Sequence, residues 1–246
     1  MRECSKSIER RLSDSNYIRK YFVGSGIDIG GKPDPLALYT ELFPLMDSVR
    51  VWDWEDGDAQ FMAGVDDQSF DFVFASHCLE HLVDPREGLR NWMRIVKPGG
   101  HLIINVPDED MYEQGIFPST FNRDHKWTFT IFKSRSWSDR SINLAELVAG
   151  LGEAADVRKL EMIDAAYRHQ LPRFDQTLSP VAEAAIELVI RRRPAEEIAA
   201  GGRLPTGKQP DPSLRLHFNQ YRADQATLRA ANGDAPPFTN DGELKA

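Results

Sequence analysis

Several residues in "FASHCLEHLVDP", positions 74–85, are of types that could do chemistry. His77-x-x-Glu80-His81 has the spacing at which two histidines one helical turn apart hold zinc while a glutamate activates a water. That chemistry needs both histidines on one face of a sustained helix, plus a distant acidic ligand such as Glu146, Glu153 or Glu161. The context opposes it. An apolar run, "FDFVFAS", ends just before His77, and Asp84-Pro85 has the residues that open a new helix, so the motif falls in a strand-to-helix turn. The expectation is a turn histidine at 77, a packing or hydrogen-bonding histidine at 81, buried filler at Cys78, and no metal.

The elements that must position such a turn follow from the pattern of apolar runs. "GIDIG", "VRVWDW", "FDFVFAS" and "HLIINVP" are each short enough to be strands buried on both faces, and helix-period segments alternate with them. This predicts an α/β fold built on a doubly wound, largely parallel sheet. Asp84, Pro85 and Glu87 form a capping signature for a helix carrying Leu89, Trp92, Met93 and Val96, which "KPGG" ends. "NLAELVAGLG" predicts a second helix with an Asn143/Glu146 capping pair. "ADVRKLEMIDAAY" and "AEAAIELVIRRR" predict an antiparallel pair at the sheet edge. The segment 107–138 is long and aromatic, which argues for function and against disorder.

Composition sets further bounds. The chain has 246 residues and a formal charge of -8, so no global positive field draws nucleic acid or an anionic membrane. Two cysteines, Cys4 and Cys78, suit a reducing cytoplasm. The N-terminal residues lack a signal-peptide core, and no apolar run is long enough to insert in a membrane. The domain expectation is a helical cap at 1–23, a core at 24–193 with an insertion at 107–138, and an extension at 194–246. Within that extension the amphipathic segment 212–231, with Leu214, Leu216, Phe218 and Tyr221, could support a homodimer.

In open parallel sheets ligands bind beyond the carboxyl ends of the strands. The residues that follow the strands are Asp28, Gly30 and Gly31, then Asp53, Asp58 and Ala59, then Ser76 and His77. "GSGIDIG" is no dinucleotide cradle, because its first two glycines precede the strand.

"GIDIGG", "GDAQ", "SFDFVFASHCLEHLVDP" and "RIVKPGGHLIINVP" occur in an order that resembles class I S-adenosylmethionine-dependent methyltransferases, in particular the type 11 subfamily. The resemblance implies S-adenosylmethionine as cofactor: Asp53 on the ribose hydroxyls, Asp58 and the Ala59 N–H on the adenine, Asp28, Gly30 and Gly31 at the methionine end, and Ser76 or His77 opposite. Two departures stand out. Lys32 and Asp34 occupy positions usually held by glycine, and too few residues separate Asp53 from Asp58 for the usual third strand, so the edge strand is expected to be missing.

For the acceptor, the loop containing "YEQGIFPSTFNRDHKWTF" is expected to hang over the reacting methyl group. His125, flanked by Asp124, is the candidate base, with a structural histidine tying the loop together as its alternative. Tyr112, Arg123, Trp127 and Asp175 are candidate acceptor contacts. The resemblance points to a small-molecule or carbohydrate acceptor, with O-methylation of a sugar hydroxyl in surface-polysaccharide or nucleotide-sugar biosynthesis the leading reading. N-methylation, or a partner protein that binds cofactor without turnover, is the alternative. Tyr17, Tyr21 and Phe22 could cover the cofactor, though helical spacing of aromatics more often marks core.

Overall fold

Alternation of side chains along each strand divides the molecule into two apolar layers. Phe72 and Phe74 pack with Tyr17, Tyr21, Phe22, Phe43 and Ile103 on one face of the sheet. Val73 and Ala75 pack with Leu89, Trp92, Leu102 and Leu144 on the other. The aromatics of the N-terminal segment are thus core. The computed structural model describes residues 3–205 together with 207, 229 and 233. Met1–Gly202 is one compact unit, and Arg203–Ala246 is another. Apart from residue 229, the amphipathic segment 212–231 lies outside the described residues.

In chain order the main elements are α1 (Glu3–Ser13), β1 (Gly24–Ile29), β2 (Met46–Trp52), β3 (Phe70–Ser76), α2 (Pro85–Ile95), β4 (Val96–Pro107), β5 (Thr128–Thr130), β6 (Ser141–Asn143), α3 (Leu144–Ala149), β7 (Ala155–Ile163), β8 (Ala185–Arg192) and α4 (Ala195–Ala199). The large sheet has the order β2-β1-β3-β4-β8-β7. β2, β1, β3 and β4 are parallel, and β8 runs antiparallel to both β4 and β7. The expected mixed sheet with an antiparallel last strand is present. β2 forms the edge, since residues 53–69 contain only turns and the usual third strand is missing.

That short connection is held by α2. Trp92 Nε1 donates to the Ala59 carbonyl at 2.8 Å, and Asn91 Nδ2 donates to the Gln60 carbonyl at 2.9 Å. Asp84 caps α2 as expected, its Oδ1 accepting from Arg86 and Glu87 N–H at 2.8 and 3.3 Å. The reciprocal bond from Glu87 does not form. Gln60 intervenes: its Oε1 accepts from the Asp84 N–H at 2.8 Å, and its Nε2 donates to Glu87 Oε2 at 2.6 Å. The Asn143/Glu146 pair is also corrected. Asn143 ends β6, and its amide is spent on the Lys133 N–H and carbonyl at 2.8 and 3.1 Å, so it does not cap α3. The insertion is ordered: β5 and β6 pair in parallel, and Asp108 caps a short turn at Glu109–Glu113.

Candidate functional site at the carboxyl ends of the strands

The carboxyl ends of β1, β2 and β3 open into a cavity of about 730 Å³ lined by Gly30, Asp53, Asp58, Ala59 and His77. A smaller cavity of about 190 Å³ is lined by Asp28, Gly31 and Ser76. Gly30, Lys32, His77 and His81 line both. All eight residues, with Asp28 inside β1, Ser76 at the end of β3 and the others beyond the strands, therefore reach one space or the other.

Each is positioned by local geometry. Gly30 has φ +74, which lets the chain turn sharply after β1, and its N–H donates to the Trp52 carbonyl at 2.9 Å. At Gly31 a Cβ would meet Asp28 Oδ2 at 2.5 Å. Asp28 is buried, with Oδ2 accepting from the Leu36 N–H at 2.7 Å and Oδ1 unpartnered. Burial pushes its carboxyl up to about 7, against the pull of the Leu36 N–H and Arg11. An ionisable oxygen without a partner is thus held at the smaller cavity.

Asp53 sits just past β2. Its Oδ2 accepts from the Lys32 N–H at 3.1 Å and its Oδ1 from the Trp54 N–H at 2.9 Å, which fixes the carboxylate while leaving acceptor capacity. Asp58 Oδ1 accepts from the Gln60 N–H at 2.8 Å, so the turn role and a ligand role coincide there. Trp54 and Val83, 94% and 73% exposed, line the larger cavity and were not anticipated. The signal for Trp54 was a lone aromatic in a polar turn. Two apolar surfaces left in water at a cavity mouth suit a flat ring.

The two departures from the glycine pattern have a structural role. Asp34 is buried and accepts from the Ser5 N–H at 2.8 Å and the Tyr39 hydroxyl at 2.6 Å. It fastens α1 over the smaller cavity, which Glu3 and Cys4 also line. Lys32 pairs with Glu55 at 2.9 Å on the outside.

The acceptor side departs more from expectation. His125 has a fully buried side chain and lines neither cavity; its Nδ1 lies 2.7 Å from Glu113 Oε1. It stands behind His81, their rings 4.9 Å apart. Tyr112 is buried against His125 and Phe121, and Trp127 donates to the Leu82 carbonyl at 3.1 Å. Asp175 caps a turn by accepting from the Thr177 N–H at 2.9 Å. Arg123 is exposed and lines neither cavity. Of the expected catalytic and acceptor residues only Asp124 lines the cavity, beside His81 and Lys126. Tyr112 and His125 are drawn inward because the insertion makes its own small core.

The zinc-spaced motif also takes a different form. His77 has φ 54 and starts a turn, and Leu79–His81 is a single 3₁₀ turn, so His77 and His81 share no helix face. Glu80 is wholly buried; His77 Nδ1 lies 3.4 Å and His125 Nε2 3.9 Å from its Oε1. Burial works to raise its carboxyl, yet the imidazoles of His77, His81 and His125 hold it below the usual range. Burial lowers the His81 imidazole, outweighing the pull of Glu80.

A sheet of this order, with a glycine turn after β1, an acid after β2 and a crevice across their ends, is a mixed, doubly wound α/β architecture of the kind that binds ligands beyond the carboxyl ends of its strands. Residues 36–104 match the family model described as a methyltransferase domain. A demethylmenaquinone methyltransferase of Clavibacter sepedonicus is 49% identical over 64 residues, 22% of this chain and 26% of that protein. A ubiquinone biosynthesis O-methyltransferase of Ralstonia nicotianae is 36% identical over 81 residues, 33% of this chain and 32% of that protein. The chain thus spans about a quarter to a third of the length of these curated relatives. A solved S-adenosylmethionine-dependent methyltransferase from Archaeoglobus fulgidus aligns over 78% of this chain and 95% of its own at 17% identity, with a TM-score of 0.47.

Proposed function

We propose that the chain is an S-adenosylmethionine-dependent methyltransferase that methylates a hydroxyl of a small molecule. The observation that carries this reading is the pair of adjacent cavities, reached by all eight residues at or just beyond the carboxyl ends of β1, β2 and β3. The residues suit the cofactor. A sulfonium and an ammonium ask for carboxylates, and Asp28 supplies a buried oxygen without a partner. The ribose hydroxyls ask for a fixed acceptor, which is Asp53, and the adenine asks for an apolar face beside Asp58, which Trp54 and Val83 offer. When bound, S-adenosylmethionine supplies the electrophilic methyl group.

The chain's own residues do the rest. Gly30 and Gly31 admit the ligand close to the backbone, and α1 covers the methionine end. The residues that reach the acceptor side are His81, Asp124 and Lys126, and the remaining demand there is loss of the hydroxyl proton as the methyl group transfers. Oxygen as the acceptor atom is supported by the name of the Ralstonia relative and by this polar wall. A sugar hydroxyl fits the mixture of aromatic and polar groups. A phenolic ring is the second reading, favoured by the quinone-linked names of both relatives and by Trp54, Leu82 and Val83 along the cavity. Radiolabelled methyl transfer to a panel of sugars, nucleotide sugars and catechols decides between them. Turnover on sugars alone supports the first, turnover on catechols alone supports the second, and transfer only to amines contradicts both.

A further inference from the structure

We propose that Glu80, His81 and His125 form a binding site for one divalent cation of the zinc class, in the wall between the crevice and the insertion. Its catalytic use rests on the methyltransferase reading above, but the site itself stands on three observations. First, Glu80 Oε1, Glu80 Oε2 and His125 Nε2 are all buried without a hydrogen-bond partner. One ligand atom from each of Glu80, His81 and His125 lies within 4.8 Å of the other two. Leaving such atoms unpaired in the interior is costly, and one cation there meets the demand of both Glu80 and His125, with His81 as the third ligand. Second, the Glu113 carboxylate lies 2.7 Å from His125 Nδ1. An Nδ1–H donated to that carboxylate leaves the Nε2 lone pair turned toward Glu80, which is how imidazole ligands are oriented in zinc sites. Third, His81 lines both cavities, so the cluster borders the place where an acceptor would lie.

Two imidazoles and one carboxylate are a donor set of zinc sites that keep a fourth position open for chemistry. The fold reaches this set with a different partner from the one the sequence spacing offers. His125, from the loop before β5, takes the place that the motif would give to His77.

Such a cation lowers the pKa of a hydroxyl bound to it. The acceptor O–H bond breaks and its proton passes to solvent. The oxygen lone pair then forms the O–CH₃ bond while the S–CH₃ bond breaks, leaving the neutral thioether of S-adenosylhomocysteine. This supplies the deprotonation that a buried His125 cannot perform directly on an acceptor in the cavity.

The test is calorimetric titration of the chelator-stripped full chain with zinc chloride, with circular dichroism to verify folding. The expected result is one zinc per chain. Glu80→Gln and His125→Ala should each weaken it at least about 100-fold, and Glu113→Gln about 10–100-fold. His169→Ala, at an exposed histidine on another loop, should leave the affinity unchanged. His81→Ala, at a partly exposed ligand, covers the case in which His125→Ala does not fold. No binding by the folded chain, or binding that Glu80→Gln and His81→Ala leave intact, overturns the site. Zinc binding as described by a chain that does not bind S-adenosylhomocysteine would leave the site standing and sink the methyltransferase reading instead.

Discussion

Asp28 is where the chemistry of single residues bears most directly on function. Its carboxyl is lifted to about 7 by burial, whereas an unfolded chain would ionise it near pH 4. An acid whose folded value is raised binds more protons folded than unfolded, so its contribution to stability declines as pH rises from about 4 to about 7. Urea denaturation of the ligand-free protein at pH 5 and pH 8 should therefore show a larger loss in the wild type than in Asp28→Asn; equal losses would contradict the assignment. On the proposed function, the same carboxylate, once ionised, would face a cationic ligand. S-adenosylmethionine binding should strengthen as pH rises through about 7, and Asp28→Asn should weaken it about tenfold or more at pH 8. The crevice-lining residues were legible because each lies at or just beyond a strand end, a position that pattern alone supplies. His125 was not legible as a buried residue. Its neighbours Glu113 and Glu80 come from two other segments, and no local spacing encodes that meeting.

Among the elements, the strands were readable from their apolar runs and the caps only partly. Asp84 behaves as its type and position require, but the reciprocal half of its capping box is replaced by Gln60, a residue from the turn after β2. Gln60 thus links the shortened connection at the open sheet edge to the start of α2. Gln60→Ala should destabilise the fold by about 1–3 kcal/mol, the cost of leaving buried groups unpaired, with little change in the denaturant slope. It should also weaken cofactor binding, because Asp58 and Ala59 lie on the turn that Gln60 anchors. Denaturation and ligand titration of that one variant check both effects. The insertion was unreadable for a different reason: β5 and β6 are three residues each and pair with one another, so neither has a periodicity to detect.

For the molecule as a whole, the buried charge at Glu187 fastens α1 and the last strands together. Arg10, Arg11 and Lys159 lie 2.9, 3.0 and 3.0 Å from its oxygens. Burial works against the charge, yet these three cations hold the carboxyl down to about 2. A depressed acid contributes stability above its unfolded value, so that part is lost as pH falls from about 4.5 toward 2. Glu187→Gln should cost roughly 3–5 kcal/mol at neutral pH, since it strands a fully buried Arg11, and should flatten the acid limb of the unfolding curve. Sequence pattern placed Glu187 in a strand but not among these cations, because they come from α1 and β7. The central claim concerns the crevice that this framework supports. It is tested most directly by calorimetric titration with S-adenosylhomocysteine of the wild type and of Asp53→Ala. The account predicts one site per chain at micromolar affinity, lost or strongly weakened in the variant, whereas no binding by the folded wild type, or equal binding by both proteins, would contradict it.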